Sequence, residues 1–191
     1  MTSVTLFLDL GSPYGYLAAE RIRSVLGDPV EFQPVLLGAI FQRRGWGSWA
    51  DTDQRASGMA EVESRAQRYG LAPLVWPEHW PTNALAADRA AVWAKREGAG
   101  EAFILALYRR QFQHGADITA PEVLGAAAAE AELDAGELPE AIQRPEIKDA
   151  LRQATDTAWE LGVRGVPSLA IGEAVYYGDD KLEEAAVQAG G

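Results

Sequence analysis

The apolar positions of this chain change their period along its length. Val4-Thr5-Leu6-Phe7-Leu8 is a short β-branched and aromatic run that stops at Asp9-Leu10-Gly11-Ser12-Pro13, the pattern of a buried strand. Helical spacing follows from Tyr16 through Leu17 and Ile22 to about Leu26. Ser12 stands where an N-cap belongs, Pro13 at the first helical position and Gly27 at the stop. Val30 to Leu37 returns to strand character. Strand, helix, strand predicts parallel pairing through a right-handed crossover.

From about residue 53 to 163 the spacing is helical and no strand pattern stands out. Met59, Val62, Ala66 and Tyr69 form one stripe; Leu85, Val92 and Trp93 form another; Ile104, Tyr108 and Phe112 form a third. Thr119-Ala120-Pro121-Glu122 has the spacing of a capping box ahead of Val123-Leu124. A long helix is predicted from Glu146 to Leu161, ending at Gly162. Strand character resumes at Pro167 to Ile171. Gly172-Glu173 then reads as a turn and Ala174 to Tyr177 as the hairpin partner. Asp179-Asp180 opens a last helix from Lys181 to about Ala189, with the spacing of a cap at its positive end. The order predicts one α/β sheet built from both ends of the chain. Residues 1–45 and 160–191 form it, and residues 46–159 are a helical insertion.

Composition narrows the chemistry. At 191 residues the chain is long enough for a substantial core. It has no cysteine, so it has no disulfide, cysteine zinc site or Cys-x-x-Cys chemistry of its own. Its two histidines, His79 and His114, do not form a metal-binding pair, and no metal site is expected. A net charge of −11 without a basic run argues against nucleic-acid binding. The absence of a long apolar stretch or a basic leader argues against a membrane span or signal peptide, making the cytoplasm the expected location.

Ser12 is the leading candidate for chemistry. Between a strand and a helix N-terminus, its hydroxyl can donate to an anion held by the first amides. It can equally be a plain N-cap accepting from the Gly15 amide. A serine hydrolase is disfavoured, because no Gly-x-Ser-x-Gly elbow is present and neither histidine is placed to serve Ser12. Gly45-Trp46-Gly47-Ser48-Trp49-Ala50 loosely spells a dinucleotide fingerprint, but it lies outside a strand-to-helix turn and carries bulky rings. It reads as a loop whose tryptophans either line an apolar pocket or pack as a satellite cluster. Trp76-Pro77-Glu78-His79-Trp80-Pro81-Thr82-Asn83 either walls a site or anchors the helical block.

In order along the chain, several segments carry a family resemblance. They are Asp9 to Leu17, Pro34 to Phe41, Trp80-Pro81-Thr82-Asn83, Gly115 to Ile118, and Pro121 to Leu124. Thr155, Gly162 to Pro167 and Tyr177 to Leu182 complete the set. The chain resembles the 2-hydroxychromene-2-carboxylate isomerase family, which is similar to kappa-class glutathione transferases and to DsbA-like thioredoxin folds. The resemblance implies an α/β, thioredoxin-like sheet of the DsbA/kappa type with a large helical insertion. It implies a cis Val166-Pro167 bond whose Val166 backbone pairs a bound thiol, and Ser12 in the place of the redox cysteine. It also implies glutathione, or another low-molecular-weight thiol, as cofactor, with Asp180 holding an ammonium group and Asp179 beside it.

Thiol-dependent isomerisation of a conjugated aromatic oxo-acid is then the expected activity, in a homodimer acting on a small-molecule substrate. A kappa-like conjugating transferase and a non-catalytic thioredoxin-like binding protein are the alternatives. Departures from the family pattern fall on recognition positions. Asp179 stands where a small or amide residue is usual, Arg164 replaces an aromatic and Lys181 an arginine, and no clear matching lysine follows the second strand. Arg43, Arg44 and Arg164 are candidates to compensate.

Overall fold

The computed structural model describes residues 4–27 and 29–189. Its sheet has four strands in the order β2-β1-β3-β4, with β1 at Val4–Leu8, β2 at Glu31–Pro34, β3 at Ser168–Ile171 and β4 at Ala174–Tyr177. β1 runs parallel to β2 and antiparallel to β3, and β3 pairs antiparallel with β4. The helices are α1 (Pro13–Leu26), α2 (Leu37–Arg44), α3 (Arg55–Arg68), α4 (Leu85–Arg96) and α5 (Gly100–His114). The remaining four are α6 (Pro121–Glu130), α7 (Leu138–Ala141), α8 (Pro145–Glu160) and α9 (Leu182–Ala189).

The two faces of β1 explain the layering. Leu6 and Leu8 point one way, into a large core shared with α1, α4 and α5. Phe7 points the other way, into a smaller core with Val35, Ile40, Ala158 and Val163. A strand covered on both faces reads as a continuous apolar run, and this one does. The middle stripes are buried as their spacing predicts: Ile104, Tyr108 and Phe112 are fully enclosed, as is Val62. Gly27 and Gly162 end or follow their helices at positive φ, where a side chain would be strained.

Three local expectations are corrected. The second strand stops at Pro34 rather than Leu37, and α2 begins immediately. The backbone amides that would have continued the ladder are diverted: Leu36 N–H donates to Thr155 Oγ1 at 3.0 Å and Leu37 N–H to Asp9 Oδ2 at 2.9 Å. The capping box at Thr119 does not form. α6 begins one residue later with Ala120 as its N-cap, and the Thr119 hydroxyl donates to Asp117 Oδ1 at 2.7 Å. Asp179 does not cap the last helix either. Residues Asp179–Lys181 form a 3-10 turn ahead of α9, and the Asp179 carboxylate is used elsewhere.

Candidate functional site

The end of β1 delivers the chain to a cleft of about 1010 Å³. Ser12 is the N-cap of α1, with extended backbone, and its Oγ accepts from Gly15 N–H at 3.2 Å. The Ser12 residue is 5% exposed, and what remains faces the cleft. With the oxygen already accepting, the hydroxyl proton is free to donate to a ligand at the helix start. Ser12 is therefore the cap of α1, and the same residue lines the cleft.

Val166 and Pro167 line the same cleft, and the bond between them is cis. Among the described residues neither the N–H nor the C=O of Val166 is taken by another backbone group, which leaves an edge open to an extended ligand. The neighbouring Pro167 carbonyl accepts from Gly178 N–H at 3.0 Å, so the segment is anchored close to the free edge. Asp179 and Asp180 also reach the cleft, but in different states. The Asp180 side chain is 56% exposed and faces its mouth. Asp179 is 1% exposed, with Oδ1 accepting from Arg65 at 2.8 Å and Oδ2 from the Tyr69 hydroxyl at 2.8 Å. Both oxygens already accept, so Asp179 holds Arg65 and Tyr69 in place beside the cleft.

Burial pushes the Asp179 carboxyl above the usual carboxylate value, while Tyr69 and Arg65 pull it back. Burial and the hydrogen bond to Asp179 together push the Tyr69 hydroxyl up to about 12. Arg65 stays firmly protonated despite its burial, held by Glu61, Asp179 and Asp180. The charge of Asp179 is thus offset by Arg65, not by the arginines expected to compensate. Arg43 pairs with Asp156, Arg44 stacks on Trp46 at 3.2 Å, and Arg164 lies over Trp159 at 3.9 Å.

The walls are aromatic. Trp49 packs against Trp80 at 5.3 Å and edge-on to Tyr14 at 6.2 Å. The Trp80 indole N–H donates to Gly11 O at 3.3 Å, and the Trp80-Pro81 bond is cis as well. Trp46 sits at the mouth with 56% of its surface exposed. Trp49 thus belongs to both a packing cluster and the cleft wall, and the segment from Trp80 to Asn83 forms part of the wall. Arg65, Asp9 and Asp88 also line the cleft and were not singled out for chemistry by the sequence. Arg65 lies on the polar side of a helical stripe, and Asp88 sits in the first turn of α4, where an acidic residue reads as ordinary dipole chemistry.

A model of the DSBA-like thioredoxin domain matches residues 3–188. The chain belongs to the DSBA-like thioredoxin family. A 2-hydroxychromene-2-carboxylate isomerase of Sphingobium xenophagum is 25% identical over 95% of this chain and 94% of its own. Among solved structures, a 2-hydroxychromene-2-carboxylate isomerase superposes with a TM-score of 0.86 at 21% identity, covering 98% of this chain and 94% of that one. The cytosolic disulfide reductase DsbM of Pseudomonas aeruginosa with GSH superposes at 0.68 with 15% identity, covering 98% and 96%. In this DSBA-like chain, Ser12 begins the helix that follows β1 and no cysteine is available for disulfide exchange. Among the described residues no helix is long and apolar enough to cross a membrane.

Proposed function

We propose that this chain is a thiol-dependent isomerase of the 2-hydroxychromene-2-carboxylate isomerase type. Ser12 stabilises the thiolate of a bound glutathione or another low-molecular-weight thiol, and the substrate is a conjugated aromatic oxo-acid. One observation carries the reading: Ser12 Oγ accepts from Gly15 N–H, leaving its proton to be donated at a helix N-terminus into a cleft that also presents the unpaired edge of Val166. The match to a named isomerase over nearly the whole chain supports the class of reaction. A fold relative, the disulfide reductase DsbM with GSH, supports the class of thiol. Without cysteine the chain cannot itself exchange disulfides, which separates it chemically from its oxidoreductase relatives.

The residues present fit such a thiol. The exposed carboxylate of Asp180 suits an ammonium group, the Val166 edge suits a peptide-like backbone, and Ser12 suits sulfur. When bound, the thiol supplies a nucleophile that adds reversibly to a conjugated carbonyl compound and lets its former double bond rotate. A free thiol with a pKa of ~8.5 is only about 3% ionised at neutral pH. Lowering that value by about 1.5 units takes ~2 kcal/mol, within reach of a hydroxyl donor and helix-terminal amides acting together. Trp49 and Trp80 offer flat apolar walls for an aromatic substrate, and Arg65 places a cation 5.3 Å from the Tyr14 ring. The reading carries with it a homodimer and a cytoplasmic location, where small thiols stay reduced.

The test is thiol stoichiometry with 2-hydroxychromene-2-carboxylate as probe and glutathione as the added thiol. Interconversion that requires thiol and consumes none supports the isomerase. Consumption of one thiol per turnover points to a conjugating transferase, and a probe left unchanged with thiol present points to a binding protein.

A further inference from the structure

Beneath Ser12 two carboxyl groups meet in the interior. Asp9 ends β1 and is 8% exposed, while Asp88 lies in the first turn of α4 and is 1% exposed. The two hold adjacent amides of one turn, Gly11 and Leu10, which brings their side chains within hydrogen-bonding reach of one another. Two carboxylates cannot share a hydrogen bond without a proton between them. Donor counting says where that proton sits. Asp9 accepts on both oxygens, from Gly11 N–H at 2.9 Å and Leu37 N–H at 2.9 Å. Asp88 accepts from Leu10 N–H at 3.0 Å on Oδ1, and its buried Oδ2 meets no N–H or O–H donor of another residue among the described residues.

We propose that Asp9 and Asp88 are a proton-locked pair of positioning residues, Asp9 ionised and Asp88 protonated on Oδ2, that holds the Ser12 turn in its ligand-facing geometry. The pair ties together the end of β1, the Ser12 turn, α2 and α4. It anchors the amides of Leu10 and Gly11 and the first amide of α2. The Asp9 carbonyl adds the next link, accepting from Ser12 N–H at 3.0 Å and from the Tyr108 hydroxyl at 2.8 Å. Among the described residues the donors on the two carboxyls are the backbone amides of Leu10, Gly11 and Leu37, and no lysine, arginine or histidine is hydrogen-bonded or ion-paired to either, while the nearby Tyr108 hydroxyl is turned to the Asp9 carbonyl. Burial pushes both carboxyls up, and the charge of Asp9 pushes Asp88 further. The role assigned to the turn rests on the thiol reading above; the placement of the proton does not.

Asparagine substitutions separate the two carboxyls. In Asp88→Asn the amide donates to Asp9 and its carbonyl still accepts from Leu10 N–H, so the lock survives without a proton to lose. Asp9→Asn turns an NH2 group against either Gly11 N–H or Leu37 N–H and breaks the lock. The readouts are thermal unfolding from about pH 5 to about pH 9, the carboxylic-acid carbonyl stretch in the infrared, and glutathione binding by calorimetry. Wild type is expected to show one buried acid band at neutral pH that Asp88→Asn removes. A raised folded pKa gives stabilisation that is full at low pH and lost as pH climbs through that value, so wild type weakens toward high pH relative to Asp88→Asn.

Asp88→Asn keeps glutathione affinity within about twofold, and Asp9→Asn loses about tenfold or fails to fold. Equal behaviour of the two variants, or no acid band in wild type, overturns the pair. If the band and the asymmetry appear while glutathione binds no variant, the pair stands and the thiol reading falls.

Discussion

Adding one methyl group at Gly15 tests how rigidly the Ser12 turn is held. Gly15 lies inside α1, and a Cβ built there would stand 2.3 Å from the Tyr108 hydroxyl oxygen, 3.3 Å from its Cζ and 3.4 Å from Ser12 Cβ. The first separation is about 1 Å short of an ordinary carbon–oxygen contact. Tyr108 has no easy retreat. It is fully buried, its ring is packed between Tyr16 and Phe112, and its hydroxyl is bonded to the Asp9 carbonyl. Gly15→Ala therefore forces Tyr108 off that bond or moves the turn. Overpacking of this kind costs about 1–3 kcal/mol, and orphaning a buried hydroxyl about 1–3 more. Replacing a helical glycine by alanine returns roughly 1 kcal/mol. The net expectation is a loss of about 1–5 kcal/mol, or about 2–20 °C in Tm for a chain of this size.

Urea unfolding of wild type, Gly15→Ala, Tyr108→Phe and the double variant closes a cycle. Removing the hydroxyl removes the clash, so the double variant should be about 1–2 kcal/mol more stable than the sum of the single losses. Additive losses would refute the reasoning, because they would mean the methyl never met the hydroxyl.

Other perturbations have distinct signatures. Ser12→Ala removes one hydrogen bond to an anion and should lower thiol-dependent turnover about 10- to 100-fold in a kinetic assay, with a cap loss of ~1 kcal/mol by denaturation. Trp46→Ala, at an exposed position on the cleft mouth, should change stability by less than about 0.5 kcal/mol while altering ligand affinity in calorimetry. Asp179→Asn leaves Arg65 with only the exposed Glu61 and Asp180, and should cost about 2–3 kcal/mol, less than a fully buried pair because Arg65 keeps those partners. In the same variant the Tyr69 hydroxyl should titrate below its present value of about 12, because the push of the carboxylate is gone while Arg21 and Arg65 still pull it down; ultraviolet titration reads this directly.

Why some of this was legible in the sequence, and some not, follows from the range of the interactions. β1, α1 and the β3–β4 hairpin are declared locally, by an apolar run, by Ser12-Pro13 and Gly27, and by Gly172 at the turn. The end of β2 is not, because the groups that stop it, Thr155 and the Asp9 carboxylate, come from elsewhere in the chain and outbid the ladder for the amides of Leu36 and Leu37. The same holds for Thr119, whose hydroxyl prefers Asp117 to the helix it precedes. Local pattern reads local competition, and these contests are decided by partners the pattern cannot place.

The site divides along the same line. Ser12 stands out in the sequence because its place between strand and helix is local, whereas the Val166-Pro167 bond reads as trans by default from its residues alone and is marked as cis only by the family resemblance. Asp179 was visible as a departure, but its meaning was not. A carboxylate standing where a small or amide residue is usual holds Arg65, which α3 brings in from more than a hundred positions away. Asp9 and Asp88 carry no signature at all: one ends a strand, the other opens a helix, and each alone is an ordinary acid. Only their meeting makes a proton necessary. A substitution that keeps the Ser12 motif intact can therefore still disable the cleft, if it falls at Asp9 or Arg65 or leaves no donor at position 88.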